Sequence, residues 1–303
     1  MASLSKDKNE KLPNDARELF PFIPRHFAVD KDNSITYIDE GTPGNPVLVM
    51  IHACPMCMFE FRLAIFALSK RFRVIAYDQM GFGFSDHPQN YDYRIENHIG
   101  HLERFLNFLG LHDNISLLMH GRGTTIGIGY AVRHASAIRS LMVMNAPSFS
   151  DFHLPFRLAM FRFQRIPSCF FLLMKQILFP GLRYPPAVRH AYTFRLSRRN
   201  MPAMVNFICS LPLVPEDQTA RSMIEIETAI WVLRHKPMLI LWGDRDWLYN
   251  DNDMTRWRSY FPDAEFHPIH GAGRFLTEDA PRQYLDYVTK FLNKVFSESE
   301  EGN

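Results

Sequence analysis

Short apolar runs alternate with amphipathic stretches through most of this chain. Residues 47–51, Val-Leu-Val-Met-Ile, lead into His52, and residues 72–76, Phe-Arg-Val-Ile-Ala, lead into Tyr77 and Asp78. Both predict buried strands that feed functional loops. Between 95 and 109, the residues Ile95, Ile99, Leu102, Phe105, Leu106 and Leu109 recur at helical intervals, which predicts a helix with one face on a sheet. Residues 115–119 predict the next strand, followed almost at once by a helical run over 126–132. Further strands are expected at 138–144, 237–242 and 264–269, before a C-terminal helix around 283–296. Strands alternating with helices imply a mostly parallel sheet flanked by helices, with binding groups gathered at the carboxyl ends of its strands.

Between Asn145 and Arg234 this rhythm breaks, and prolines fall at 147, 155, 167, 180, 185, 186, 202, 212 and 215. Such spacing favours short helices with abrupt corners, and the stretch is too long for a plain connection. It reads as an inserted helical cap. The expected division is an N-terminal extension over 1–24, a core over 25–147 and 235–296, a cap or lid over 148–234, and a solvated tail over 297–303. Within the cap, arginines interleave with a dense apolar surface: Phe156 to Arg165, then Ile166 to Met174, then Arg183, Arg189, Arg195, Arg198 and Arg199. Covering an apolar pocket is the first expectation for this segment. Docking a partner protein and lying on an anionic membrane surface are the alternatives.

Composition narrows the choice. The 303 residues, 47% of them hydrophobic, suffice for one core domain plus an insertion. Lys and Arg total 34 against 32 for Asp and Glu, and a net charge of +2 gives no general drive toward nucleic acid. The first twenty residues carry charges where a signal peptide needs apolar ones, so a cytoplasmic protein is expected. Four cysteines, Cys54, Cys57, Cys169 and Cys209, are too few for a disulfide scaffold. Cys54 and Cys57 have the spacing of a redox or metal pair, but the second half of a zinc site is missing. No metal or other cofactor is implied.

The chemistry concentrates after the strand at 115–119, where His120-Gly121-Arg122-Gly123-Thr124 opens a helix. A strand, a sharp glycine-bearing turn and a helix make the context of a nucleophile elbow. The turn is there and the nucleophile is not. Four segments together, His-Ala-Cys-Pro at 52–55, Asp-Gln-Met-Gly-Phe-Gly-Phe-Ser-Asp-His-Pro at 78–88, the glycine-rich run at 120–134, and Trp-Gly-Asp-Arg-Asp at 242–246 with its partner at 271–281, resemble the haloalkane dehalogenase branch of the α/β-hydrolase superfamily, with relatives among epoxide hydrolases. The resemblance covers roughly residues 25 to 296. It implies the α/β-hydrolase fold, with the cap inserted into it.

The same resemblance makes the substitutions meaningful. The family's turn usually reads His-Asp-Trp-Gly-Gly, its Asp attacking carbon and its Trp helping to hold the leaving halide; here those places hold Gly121 and Arg122. The family's first loop reads His-Gly-Asn-Pro or His-Gly-x-Pro, whereas this chain has His52-Ala53-Cys54-Pro55, with Cys54 in place of a halide-stabilising Asn. The family's general base lies in Gly-His-Phe; this chain has Gly273-Arg274-Phe275, and a guanidinium accepts no proton near neutral pH. Of the triad the resemblance implies, the acid alone persists, as Asp246, and a salt bridge to Arg274 is the expected fate of its carboxylate. His52, Cys54, His120 and Arg122 are expected around the pocket, the two histidines in structural roles. His270, four residues before Arg274, is the weaker candidate for a displaced base. The resulting expectation is a catalytically degenerate protein whose capped apolar pocket binds a small molecule, with an anionic group held by Arg122, or serves protein interaction. The alternative is an atypical lyase, cyclase or isomerase using Arg122, Cys54 or a pocket histidine.

Overall fold

A computed structural model describes residues 12–149, 184–194, 201–249 and 251–297. The aromatic-arginine run at 156–174, Arg183, Arg195, Arg198, Arg199, Cys169 and the tail beyond 297 lie outside the described residues. Among the described residues, eight strands form one sheet: β1 (Arg25–Ala28), β2 (Ser34–Glu40), β3 (Val47–Ile51), β4 (Arg73–Tyr77), β5 (Ile115–His120), β6 (Ile138–Met144), β7 (Met238–Gly243) and β8 (Glu265–Ile269). Their order is β1-β2-β4-β3-β5-β6-β7-β8. β1 pairs with β2 and β2 with β4 antiparallel; every other pair is parallel. The sequence reading placed the last six strands and missed the first two. β1 buries one residue of four, Phe27, and β2 ends on Asp39 and Glu40, so neither carries the unbroken apolar run of a strand covered on both sides.

Helices cover the sheet. They are, among the described residues, α1 (Asn14–Arg17), α2 (Arg62–Leu68), α3 (Ile95–Phe108), α4 (Gly123–Arg133), α5 (Pro186–Thr193), α6 (Met201–Ser210), α7 (Gln218–Ala229), α8 (Asp251–Tyr260), α9 (Leu276–Asp279) and α10 (Pro281–Ser297). α3 buries Ile95, Ile99, Leu102, Phe105 and Leu106 completely, the stripe its spacing predicted. α10 does the same with Tyr284, Val288, Phe291, Leu292 and Val295. α4 packs tightly on the sheet at Gly127, where a Cβ would run into Met119 and Ile51. α5, α6 and α7 come between β6 and β7 and form the described part of the inserted cap. No helix among the described residues is long and apolar enough to cross a membrane.

The strand order decides where chemistry can sit. From β3 the chain passes to β4 on one side, then returns to β5 on the other, so the crevice at the carboxyl ends of β3 and β5 opens at a switch of direction. The loops leaving those strands carry His52 to Pro55 and His120 to Arg122. Asp246 follows β7, and Arg274 follows β8.

Candidate functional site

The turn after β5 is built around Gly121, at φ +53°, a left-handed conformation that only glycine adopts without cost. Its N–H donates to the Met144 carbonyl at 3.0 Å, and its own carbonyl accepts the Thr124 N–H at 3.1 Å, which starts α4. A Cβ at this position would stand 2.9 Å from the Ala53 Cβ and 3.7 Å from the Tyr249 ring. The place from which an elbow side chain would project is therefore crowded by Ala53 of the β3 loop, with the Tyr249 ring at ordinary contact distance on the other side.

The two histidines are fixed differently. His52 is fully buried, donates from Nδ1 to the Ala53 carbonyl at 2.9 Å and accepts the Gln79 N–H at Nε2, also 2.9 Å. Burial holds it neutral, with its pKa down at about 4. Both nitrogens are used, and its role is to tie the β3 loop to the loop after β4. His120, equally buried, meets Glu60 Oε2 through Nδ1 at 2.9 Å, while Glu60 Oε1 accepts the Ala53 N–H at 3.0 Å. The His120 Nε2 has no hydrogen-bond partner. Sequence reasoning missed Glu60. Its signal was available: a lone acid in the apolar run Met58-Phe59-Glu60-Phe61 must be buried against a partner.

Cys54 and Cys57 are both buried, free thiols. Burial pushes the Cys54 thiol up to about 12, outweighing the nearby Arg274 and Arg122, which act the other way. Such a thiol holds almost no thiolate at neutral pH and is a poor nucleophile.

Asp246 lies half-buried beyond β7, with its Oδ2 shut away from solvent. Its Oδ1 accepts the N–H groups of Leu248 at 2.8 Å and Tyr249 at 3.4 Å, and its Oδ2 has no partner. Desolvation raises its carboxyl above the usual range, against the opposing pull of Arg274, those two backbone bonds and His120. Arg274 is 4% exposed. The expected Asp246–Arg274 salt bridge is not made; the guanidinium instead donates from Nη2 to the Cys54 carbonyl and lies 5.3 Å above the centre of the Tyr249 ring. The Cys54 carbonyl and the aromatic face hold the guanidinium instead, Asp246 Oδ1 is taken by two backbone N–H groups, and Nη1 is left without a partner. Arg122 is half-buried, and its Nη1 lies 4.0 Å from the Met223 sulfur on α7. The structure thus gathers Gly121, Arg122, Cys54, His120, Asp246 and Arg274 at one end of the sheet and adds Glu60 and Tyr249. His270 is not among them. Its side chain is 83% exposed and pairs with Asp244 at 3.1 Å, away from the crevice.

The cap reaches this cluster through two tyrosines. Tyr192 of α5 donates to Glu278 at 2.6 Å, and Glu278 holds Arg62 through contacts of 2.5 and 2.8 Å. Tyr184 donates to Asp279 Oδ1 at 2.6 Å, and Asp279 Oδ2 accepts the Gly273 N–H at 2.7 Å, one residue before Arg274. Under the cap, a cavity of about 20 Å³ lies among Pro55, Met56, Phe82, Tyr192, Phe194 and Met204, the room of one water molecule.

An eight-stranded, mostly parallel sheet with a turn of this kind after β5 and a helical insertion after β6 defines the α/β-hydrolase class. The α/β hydrolase fold family matches residues 46–170. The chain is 30% identical over 299 residues to the cis-3-alkyl-4-alkyloxetan-2-one decarboxylase of Shewanella oneidensis, covering 91% of this chain and 90% of that one. It is 28% identical over 277 residues to haloalkane dehalogenase 2 of Mycobacterium tuberculosis, covering 87% and 93%. The crystal structure of haloalkane dehalogenase DbeA from Bradyrhizobium elkani shares the fold, with a TM-score of 0.78 at 20% identity over 91% of this chain and 99% of that one. The chain belongs to the α/β-hydrolase superfamily and is homologous to its haloalkane dehalogenases.

Proposed function

We propose that this protein is a catalytically degenerate member of its branch that uses a capped, largely apolar pocket to bind a small molecule bearing one anionic group. The observation that carries the reading is the turn at Gly121: no nucleophilic atom is present, and the Ala53 methyl crowds the place a side chain would take there. Without an attacker there is no covalent intermediate, and Arg274, at the position of the family's base, accepts no proton from water. Burial of an apolar ligand would supply most of the affinity, at roughly 25 cal/mol per Å², and a cation at the mouth of α4 would orient its charged end.

The test is turnover by the full chain. Short haloalkanes, epoxides, activated esters and a dialkyl oxetan-2-one are expected to give no product above a heat-treated control. Halide or alkene release that scales with protein concentration and vanishes on unfolding would overturn the reading. One observation favours a second reading, an atypical non-hydrolytic enzyme: the Glu60-held His120, whose Nε2 is unengaged, has the arrangement of an oriented base. That reading requires turnover lost in His120→Gln and in Arg122→Met, with no covalent enzyme adduct. A catalytic Cys54 fits neither, given its thiol near 12.

A further inference from the structure

Resting on the binding reading above and naming its ligand, we infer that Arg274, Tyr249 and Arg122 form a clamp for the carboxylate head of an aliphatic acid, seated near the turn at Gly121. Arg274 is the central element. A guanidinium this buried, with one nitrogen on the Cys54 carbonyl and another without a partner, leaves a donor unsatisfied in a medium where that is costly. The Tyr249 hydroxyl, buried beside it, interacts with the Arg274 guanidinium, so the two side chains form one unit. Neither Arg274 nor Arg122 makes an ion pair among the described residues. Arg274 lies over the Tyr249 ring and on the Cys54 carbonyl, and Arg122, at the first turn of α4, acts electrostatically on the same two residues.

The acids nearby do not cancel them. Asp246 has one oxygen taken by two backbone N–H groups, does not touch Arg274, and is shifted by burial toward its neutral form. Glu60 spends one oxygen on the Ala53 N–H and the other on His120. Two cations therefore face one poorly matched carboxylate. The first turn of α4 adds the hydroxyls of Thr124 and Thr125, both buried and unpartnered, on the end of the helix that favours an anion.

The shape selects among anions. Ala53 crowds the space directly beside Gly121, so the head group is met by the side-chain donors around the turn and not by the turn itself. A planar fork and a carboxylate match geometrically. Arg122 touches Met223, a cap residue, so the aliphatic tail leaves along the cap.

Dodecanoate, its methyl ester and dodecyl phosphate are the probes, titrated into the full chain by calorimetry. Dodecanoate is expected to bind at least about tenfold more tightly than either of the others, the worth of one charge-assisted pair. Arg274→Gln should erase that preference. Because removing Arg274 carries a risk to folding, Asp246→Asn provides a second arm: deleting the competing negative charge should tighten dodecanoate several-fold and leave the ester unchanged. Equal binding of acid and ester, unaltered by either substitution, would overturn the clamp while leaving the pocket reading intact. A preference for the phosphate would overturn the assignment to carboxylates. Failure of all three to bind a chain shown folded by its near-UV spectrum would overturn the pocket reading itself, and the clamp with it.

Discussion

Ala53 and Gly121 fit each other across the turn after β5: the family loop that His52-Ala53-Cys54-Pro55 resembles has a glycine where this chain has Ala53, and the family turn has an Asp where it has Gly121. The added methyl group occupies the room the lost side chain gave up, at 2.9 Å from where its Cβ would be. Gly121→Asp must then bear both a left-handed backbone and an overpacked contact, and a loss of about 2–4 kcal/mol in urea unfolding is expected. Ala53→Gly in the same chain should recover about 1 kcal/mol or more, a coupling a double-mutant cycle measures. Adding Arg274→His is expected to yield no halide release, because Arg122 and Cys54 still stand where the family has its Trp and Asn. Family-like rates from Gly121→Asp with Arg274→His would show that the rest of the site had stayed fit for catalysis.

At the scale of elements, α3 and the β3 loop bury three neutral imidazoles. Burial lowers His98 to about 3, His101 to about 4 and His52 to about 4, below the value near 6.5 of an unfolded chain. Between those limits the unfolded chain binds more protons, so stability is full above about pH 6.5 and falls as pH drops. Each group contributes a slope of about 1.4 kcal/mol per pH unit in that window. Unfolding free energies measured from pH 7 to 5 should fall steeply, and His98→Gln should flatten the curve by about one proton. An unchanged slope would mean these side chains find water in the folded state. The pattern of elements was legible where both faces of a strand are covered, as in β3 to β7, because nothing polar interrupts the run. It was illegible in β1 and β2, whose single-sided burial leaves polar residues in the strand. In the site, the residues facing the crevice could be found by motif. Tyr249, brought in by the loop after β7, and Glu60, reaching His120 from sixty residues away, depend on contacts that no local spacing encodes.

For the molecule as a whole, cap and core are joined through buried polar contacts. Arg62 and Glu278 are nearly excluded from water, and Tyr192 of the cap completes their triad. Glu278→Gln leaves a buried guanidinium without its counter-charge, and a loss of about 3–5 kcal/mol is expected. Tyr192→Phe should cost far less, because it removes one hydrogen bond and keeps the aromatic contact with Phe59. Chemical unfolding of the two variants side by side distinguishes them; equal losses would make the hydroxyl, not the ion pair, the stronger tie. The methyl group of Ala53 has a consequence on a longer timescale. Once it fills the space beside Gly121, a mutation returning an acid to the turn lowers stability before it can be of use, and a mutation trimming Ala53 alone opens a void with nothing to fill it. The route back to an attacking side chain crosses a fitness valley, so this contact works as an evolutionary ratchet.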